Sequence, residues 1–197
     1  MDLLTARTIA EAEAWFLVRP CPGCGQGPWQ LVRQSTPAPA DPRLVMRAGC
    51  MQCDHQETVR FAVDQPDLPE EPWQVNPTDQ PSELIDLAGW VGLFYGYLDQ
   101  ASRQTDKTRT RKLGYRAAVC LAEALKFYSD DDELPGEEAF FTRRGRRAYH
   151  EHTENFARQK LRDMQSRLPA LDTMQDRLEQ DQARRTRRRR WWQFWKS

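Results

Sequence analysis

Apolar positions along the chain change their spacing twice, and each change marks a new kind of element. In residues 5–18 (TARTIAEAEAWFLV), Thr5, Ile9, Ala12 and Phe16 fall roughly along one face at helical spacing, which predicts a short helix. Pro20 and Pro22 end it. From Cys21 to about Val63 short β-type runs take over: Trp29–Arg33, Leu44–Arg47 and Thr58–Val63 read as strands. The stretch from Pro37 to Pro42 forms a loop between the first two. Residues 64–81 then carry five prolines (Pro66, Pro69, Pro72, Pro77 and Pro81) and read as an extended linker that packs along the body through Trp73 and Val75.

Beyond Pro81-Ser82, a helix start, the three-four spacing returns. Leu84, Leu87, Ala88, Val91, Tyr95 and Leu98 define one helix. Leu113, Ala117, Cys120, Leu121, Ala124 and Tyr128 define a second over about residues 107–128. A third is predicted over 142–168, with Tyr149, Phe156, Leu161, Met164 and Leu168 on its face. Leu171, Met174 and Leu178 continue the tendency past Pro169, but so sparsely that the segment reads as a projecting or frayed helix. Trp90, Phe94, Tyr95 and Tyr97 surround the first body helix on more than one side, so part of that cluster is core and part faces a neighbour.

Composition limits how much core these elements share. Of 197 residues, 39% are hydrophobic and 29% charged, which allows a modest helical core. The formal net charge of zero conceals two opposed regions. Residues 184–197 hold seven basic residues and no acidic one, leaving 22 basic against 29 acidic in the other 183. An acidic body of that kind does not attract polyanions as a whole, so any such binding is local. Met1–Val18 contains Asp2, Glu11 and Glu13 without a continuous apolar run, unlike a secretory leader. No apolar stretch is long enough to span a bilayer. The expectation is a cytoplasmic protein.

Five cysteines bring in the first specific chemistry. Four form two C-x-x-C pairs, Cys21-Pro-Gly-Cys24-Gly25 and Cys50-Met-Gln-Cys53, and each pair sets two sulfurs on a tight turn. Gly23 and Gly25 supply permissive backbone. Two such turns complete the four-sulfur tetrahedral shell that a structural Zn²⁺ prefers. The competing readings are a redox dithiol or a disulfide pair; a redox pair is expected once, at the start of a helix. His55 is a replacement ligand or a supporting group, and Cys120, on an apolar helix face, reads as a buried free thiol.

On these two cysteine turns, residues 20–63 resemble the zinc-ribbon superfamily. The resemblance covers about a fifth of the chain and implies a three-stranded antiparallel sheet with one metal ion at its end. Asp54 departs from it, standing where the second turn commonly carries glycine. The superfamily serves transcription, translation and scaffolding, so it names no single function.

The C-terminus is the second distinctive feature. Arg187, Arg188, Arg189 and Arg190 precede Trp191, Trp192, Phe194 and Trp195 in blocks, charge first and aromatics last. Such a segment is buried by an anionic membrane surface, by nucleic acid whose bases stack on the rings, or by protein, including the acidic body itself. Catalytic signals are weak. Asp130, Asp131, Asp132 and Glu133 lack calcium-loop spacing, and His150 and His152 are two apart and diverge on a helix. Arg143, Arg144, Arg146 and Arg147 read more readily as a solvated face than as a phosphate site. There is no Gly-rich phosphate loop, serine elbow or H-E-x-x-H.

The sequence thus predicts an α+β chain: an N-terminal helix (1–19), a zinc ribbon (20–63), a Pro-rich linker (64–81), a helical domain (82–168) and a helical or disordered basic-aromatic tail (169–197). The function expected is a non-enzymatic adaptor with one structural zinc, a protein partner and an anionic membrane as a further candidate partner. The alternative is a nucleic-acid-binding regulator that uses the ribbon and tail together. No small-molecule substrate is evident.

Overall fold

A computed structural model describes residues 3–33, 35, 41, 43–65, 73–129 and 133–194, the side chains of 182, 185 and 187–194 excepted. It is an α+β protein in which a sheet with a covering helix precedes a helical body. Strand β1 (Leu4–Ala6), helix α1 (Ile9–Val18) and strands β2 (Trp29–Arg33), β3 (Arg43–Cys50) and β4 (Gln56–Val63) form the first part. Helices α2 (Leu87–Ser102), α3 (Lys107–Leu125), α4 (Arg143–Glu151), α5 (Arg158–Ser166) and α6 (Leu171–Phe194) form the second.

The sheet order is β1-β4-β3-β2. The three strands expected from the sequence pair antiparallel, with Trp29 opposite Cys50 and Leu44 opposite Phe61. A fourth strand was not expected: Leu4–Ala6 runs parallel to Phe61–Val63. The helix therefore starts at residue 9 rather than 5. Its start follows from Thr8, whose Oγ1 accepts the Glu11 N–H at 3.1 Å, while Glu11 Oε2 accepts the Arg7 N–H at 2.6 Å. With Arg7 and Thr8 held outside the helix, the preceding residues are free to pair with β4.

Alternation along each strand sends Leu44, Met46, Ala48, Val59, Phe61 and Val63 inward. Helix α1 covers that face. Phe16 lies edge-on to Phe61 and Trp29, with ring centres 6.2 and 6.0 Å apart. Arg19–Glu57 (2.7 Å) and Arg33–Glu13 (2.9 Å) clamp the helix to β4 and β2. A single hydrophobic cluster continues from this layer through Trp73 and Val75 into Trp90, Phe94, Tyr97 and Leu121 of the helical body. Tyr95, by contrast, is exposed.

Buried carboxylates join the parts. Glu11 accepts the Ser82 hydroxyl at 2.6 Å, and Ser82 in turn accepts the Leu84 and Ile85 N–H groups. The turn that Ser82 makes delays α2, which begins at Leu87 with Asp86 as its cap. Asp86 Oδ1 accepts the Gly89 N–H, and its Oδ2 accepts the N–H and hydroxyl of Thr142, the cap of α4. Gly145 makes this contact sterically feasible: a Cβ there would lie 2.9 Å from Asp86 Cγ.

The helix predicted over 142–168 is two helices, broken at His152 and separated by a 3-10 turn over Thr153–Phe156. The break lets Phe156 fold back onto Tyr149 and Phe140, with ring centres 6.1 and 5.0 Å away. In a continuous helix Tyr149 and Phe156 would sit about 10 Å apart along the axis. Helix α6 docks on α3 through Met174 and the buried Leu178, and Asp181 pairs with Arg111 at 2.6 Å.

Candidate metal centre

The four cysteines of the two C-x-x-C pairs come together at one end of the sheet. The first turn leaves α1 through Arg19-Pro20 and closes when Gly25 N–H donates to the Cys21 carbonyl at 2.7 Å. Gly25 sits at φ +72°, a conformation that a side chain disfavours. The second turn grows from the end of β3, where the Cys50 N–H donates to the His55 carbonyl at 2.9 Å. Met51 N–H donates to the Pro28 carbonyl at 3.0 Å and ties the two turns together.

Backbone amides point at the sulfurs: Gly23 N–H at Cys21 Sγ and Gln52 N–H at Cys50 Sγ, both at 3.4 Å. Cys21 Sγ lies 3.7 Å from Cys53 Sγ, and Cys24 Sγ lies 3.7 Å from Cys50 Sγ. All four sulfurs fall within 4.8 Å of one another. A disulfide requires about 2.0 Å, so these are four separate thiols. A tetrahedral four-sulfur shell with bonds of about 2.3 Å has edges of about 3.8 Å, which the Cys21–Cys53 and Cys24–Cys50 separations match. The cluster could hold one metal ion, and among the described residues it is the one group of three or more such ligands.

Crowding four thiols spreads their acidities. The Gln52 N–H, foremost, lowers Cys50 to about 7. At Cys53 the His55 N–H favours the thiolate, but burial and the other three sulfurs outweigh it and push the thiol up to about 12. Cys24 is raised as well, against the pull of the Gln26 N–H and Cys53, by desolvation and by Cys50 and Cys21. Acid competes with any cation for such a set, because every ligand has to lose its proton to bind.

Two residues outside the ligand set shape the site. His55 is not among the clustered ligands; its ring faces Trp29 at 6.1 Å, and its Cβ stands 3.2 Å from where a Cβ on Gly23 would be. Trp29, which the sequence reading took only as a strand residue, joins the second turn to α1: its Nε1 donates to the Arg19 carbonyl at 2.8 Å. Its signal was a single large aromatic directly after Gly27-Pro28, in register with Cys50.

The other candidates remain scattered. Arg143 and Arg144 are exposed, Arg146 donates to the Phe141 carbonyl at 3.1 Å, and Arg147 pairs with Glu151 at 2.8 Å. His152 lies beyond the end of α4, 3.7 Å from Glu154. Glu133 caps the start of α5, accepting the Arg158 N–H through its carbonyl at 2.8 Å. Cys120 is fully buried, and burial raises its thiol well above the usual range. Asp130, Asp131, Asp132 and Trp195 lie outside the described residues. Helix α6 carries Arg187–Arg190, Trp191, Trp192 and Phe194 on its backbone, and their side chains lie outside the description too. Among the described residues, no helix is long and apolar enough to cross a membrane.

Comparison with known proteins gives no match: no family model fits the chain, and neither a curated protein nor a solved structure aligns with it.

Proposed function

We propose that the protein is a non-enzymatic adaptor built around one structural zinc ion, with its C-terminal helix attaching it to an anionic membrane surface. The observation that carries the zinc reading is the set of four sulfurs within 4.8 Å on two amide-lined turns. Zn²⁺ suits four thiolates in a tetrahedron, and a shell filled by protein ligands leaves no open position for a substrate. That closed donor set supports a structural ion over a Lewis-acid centre. Cys21, Cys24, Cys50 and Cys53 hold the ion, and it fixes the two turns and the strands that leave them.

The attachment reading rests on the residues of α6. Arginine near an anionic bilayer contributes up to about 1 kcal/mol each, and tryptophan favours the headgroup level. Arg187–Arg190 followed by Trp191, Trp192, Phe194 and Trp195 supply both in that order. Co-sedimentation of the full chain, and of a chain ending at Ala183, with phosphatidylserine vesicles tests this. Binding that needs residues 184–197, survives moderate salt and resists competing single-stranded DNA supports the adaptor. Binding that the DNA abolishes, with a steep salt dependence, replaces it with a nucleic-acid-binding regulator.

A further inference from the structure

We infer that the open face of the sheet is a protein-docking surface that takes an acidic, partly apolar segment of a partner laid across its strands. This rests on the adaptor reading, for which it names the partner surface, and it does not depend on the membrane attachment of α6.

Register decides which side chains form that face. With Met46 and Phe61 buried toward α1, alternation puts Arg43, Val45 and Arg47 of β3, Arg60 of β4 and Val32 of β2 on the other side. None of these is buried, and Val32 is 54% exposed.

The charged residues of the strands are sorted by side. Arg33 and Glu57 point to the covered side, where Arg33 meets Glu13 at 2.9 Å and Glu57 meets Arg19 at 2.7 Å. The charges on the open side are all arginines. Arg43 is neutralised by Asp41 at 2.7 Å. Arg47 donates to the neutral side chain of Gln56, and Arg60 has no partner among the described residues. Two uncompensated cations therefore share one face, in a chain whose first 183 residues are acidic overall.

Each of those arginines stands beside a valine across the ladder: Val32 is opposite Arg47, and Val45 is opposite Arg60. The partner that fits this pattern offers carboxylates with apolar side chains between them. Nucleic acid fits it less well. Base stacking needs aromatic surface, and the rings of the strands, Trp29 and Phe61, are buried on the covered side. Affinity for nucleic acid also grows with the number of phosphates contacted, and two cations contact few. A second copy of the chain is disfavoured, because a symmetric contact would bring the same arginines together.

The test is an NMR titration of the zinc-loaded, ¹⁵N-labelled full chain with a capped peptide of alternating glutamate and valine. About eight residues, extended, are enough to cross the four strands. Amide shifts of β2, β3 and β4 should move to saturation, and less readily as salt rises. Following the strand amides separates this contact from any binding of the peptide to the arginines of α6. Arg47→Glu together with Arg60→Glu should weaken the effect on the strands by about tenfold or more. A lysine-valine peptide should then bind that variant and not the wild-type face. Both arginines are exposed, so zinc content and the shifts of α1 should stay native. The same reversal at Arg143 and Arg144, exposed on α4, should leave strand binding within about twofold of wild type. Strand amides that ignore the peptide, or respond equally in the Arg47/Arg60 variant, overturn the docking surface and leave the tail reading to its own vesicle test. Single-stranded DNA that moves the same amides at lower concentration than the peptide overturns the acidic-segment assignment in favour of nucleic acid.

Discussion

The sheet end and the helical end of this protein are secured by different chemistry. At the sheet end, four thiols converge beside an aromatic seam of Phe16, Trp29 and Phe61. At the helical end, and where α1 meets it, carboxylates with almost no exposure accept hydrogen bonds from several groups at once: Glu11 of α1 from Arg7 and Ser82, Asp86 from Gly89 and Thr142, Glu123 from Asn76 and Lys126. The sheet is a small module, with a three-residue edge strand beside strands of five, eight and eight residues, and small modules of this kind commonly depend on a cross-link. The helical body has length enough to bury Trp90, Leu87, Leu121 and Phe140 completely, and its polar pins specify which helix ends meet. One end should therefore fail with its metal, the other with its packing.

The largest effect expected is the loss of a ligand. Cys21→Ser or Cys53→Ser removes a contribution on the order of 10 kcal/mol. NMR signals of β2, β3 and β4 should collapse toward unfolded positions, with α1 following because its inner face packs on that sheet. Signals of α2 and α3 should persist. Native sheet shifts in either variant would break the contrast.

At the helical end, Gly145→Ala should cost about 2–4 kcal/mol, because a methyl group there displaces the Asp86 carboxylate from Thr142 and from the α2 cap. Leu178→Ala should cost a similar 2–3 kcal/mol and loosen α6 from α3, visible as faster amide exchange beyond Leu171. Neither change should release metal. Gly25→Ala, strained at positive φ, should cost about 1–2 kcal/mol and lower metal affinity instead.

A pH effect of similar size is expected from the buried carboxyls. Burial pushes the Glu123 carboxyl up to about 7, with Lys126 and Asn76 opposing. A carboxyl whose folded pKa lies above its unfolded value binds more protons when folded, so its contribution to stability is full below about 4.5 and is lost as pH rises toward 7. Glu11 is shifted in the same direction for the same reason. The stability difference between wild type and Glu123→Gln, measured by denaturant titration, should change by up to about 3 kcal/mol between pH 4.5 and 7.5. A flat difference would mean that Lys126, 2.7 Å away, keeps the carboxylate charged throughout.

How much of this could be read from the chain follows the same division. The cysteine turns were legible because their chemistry is local: C-x-x-C fixes both sulfurs within four residues, and Trp29–Arg33 and Thr58–Val63 alternate plainly. Strand β1 was not, since Leu4–Ala6 finds its partner nearly sixty residues away and carries too few residues to show a period. The Thr8…Glu11 cap that frees it was present as T-x-x-E and went unread. The break at His152 was hidden because Tyr149 and Phe156 are seven apart, a spacing that also suits an unbroken helix; only their packing on Phe140 separates the two. The docking of α6 was equally invisible, as its register depends on Gly114 admitting Met174 and on Arg111 meeting Asp181 across 70 residues.

The most direct test of the central claim is a competitive zinc titration of the reduced full chain, with free thiols counted before and after. One equivalent should bind tightly and protect four of the five thiols at once from a thiol reagent, while Cys120 is shielded by burial throughout. Absence of stoichiometric uptake, or protection of only two thiols, would contradict a single four-cysteine metal centre.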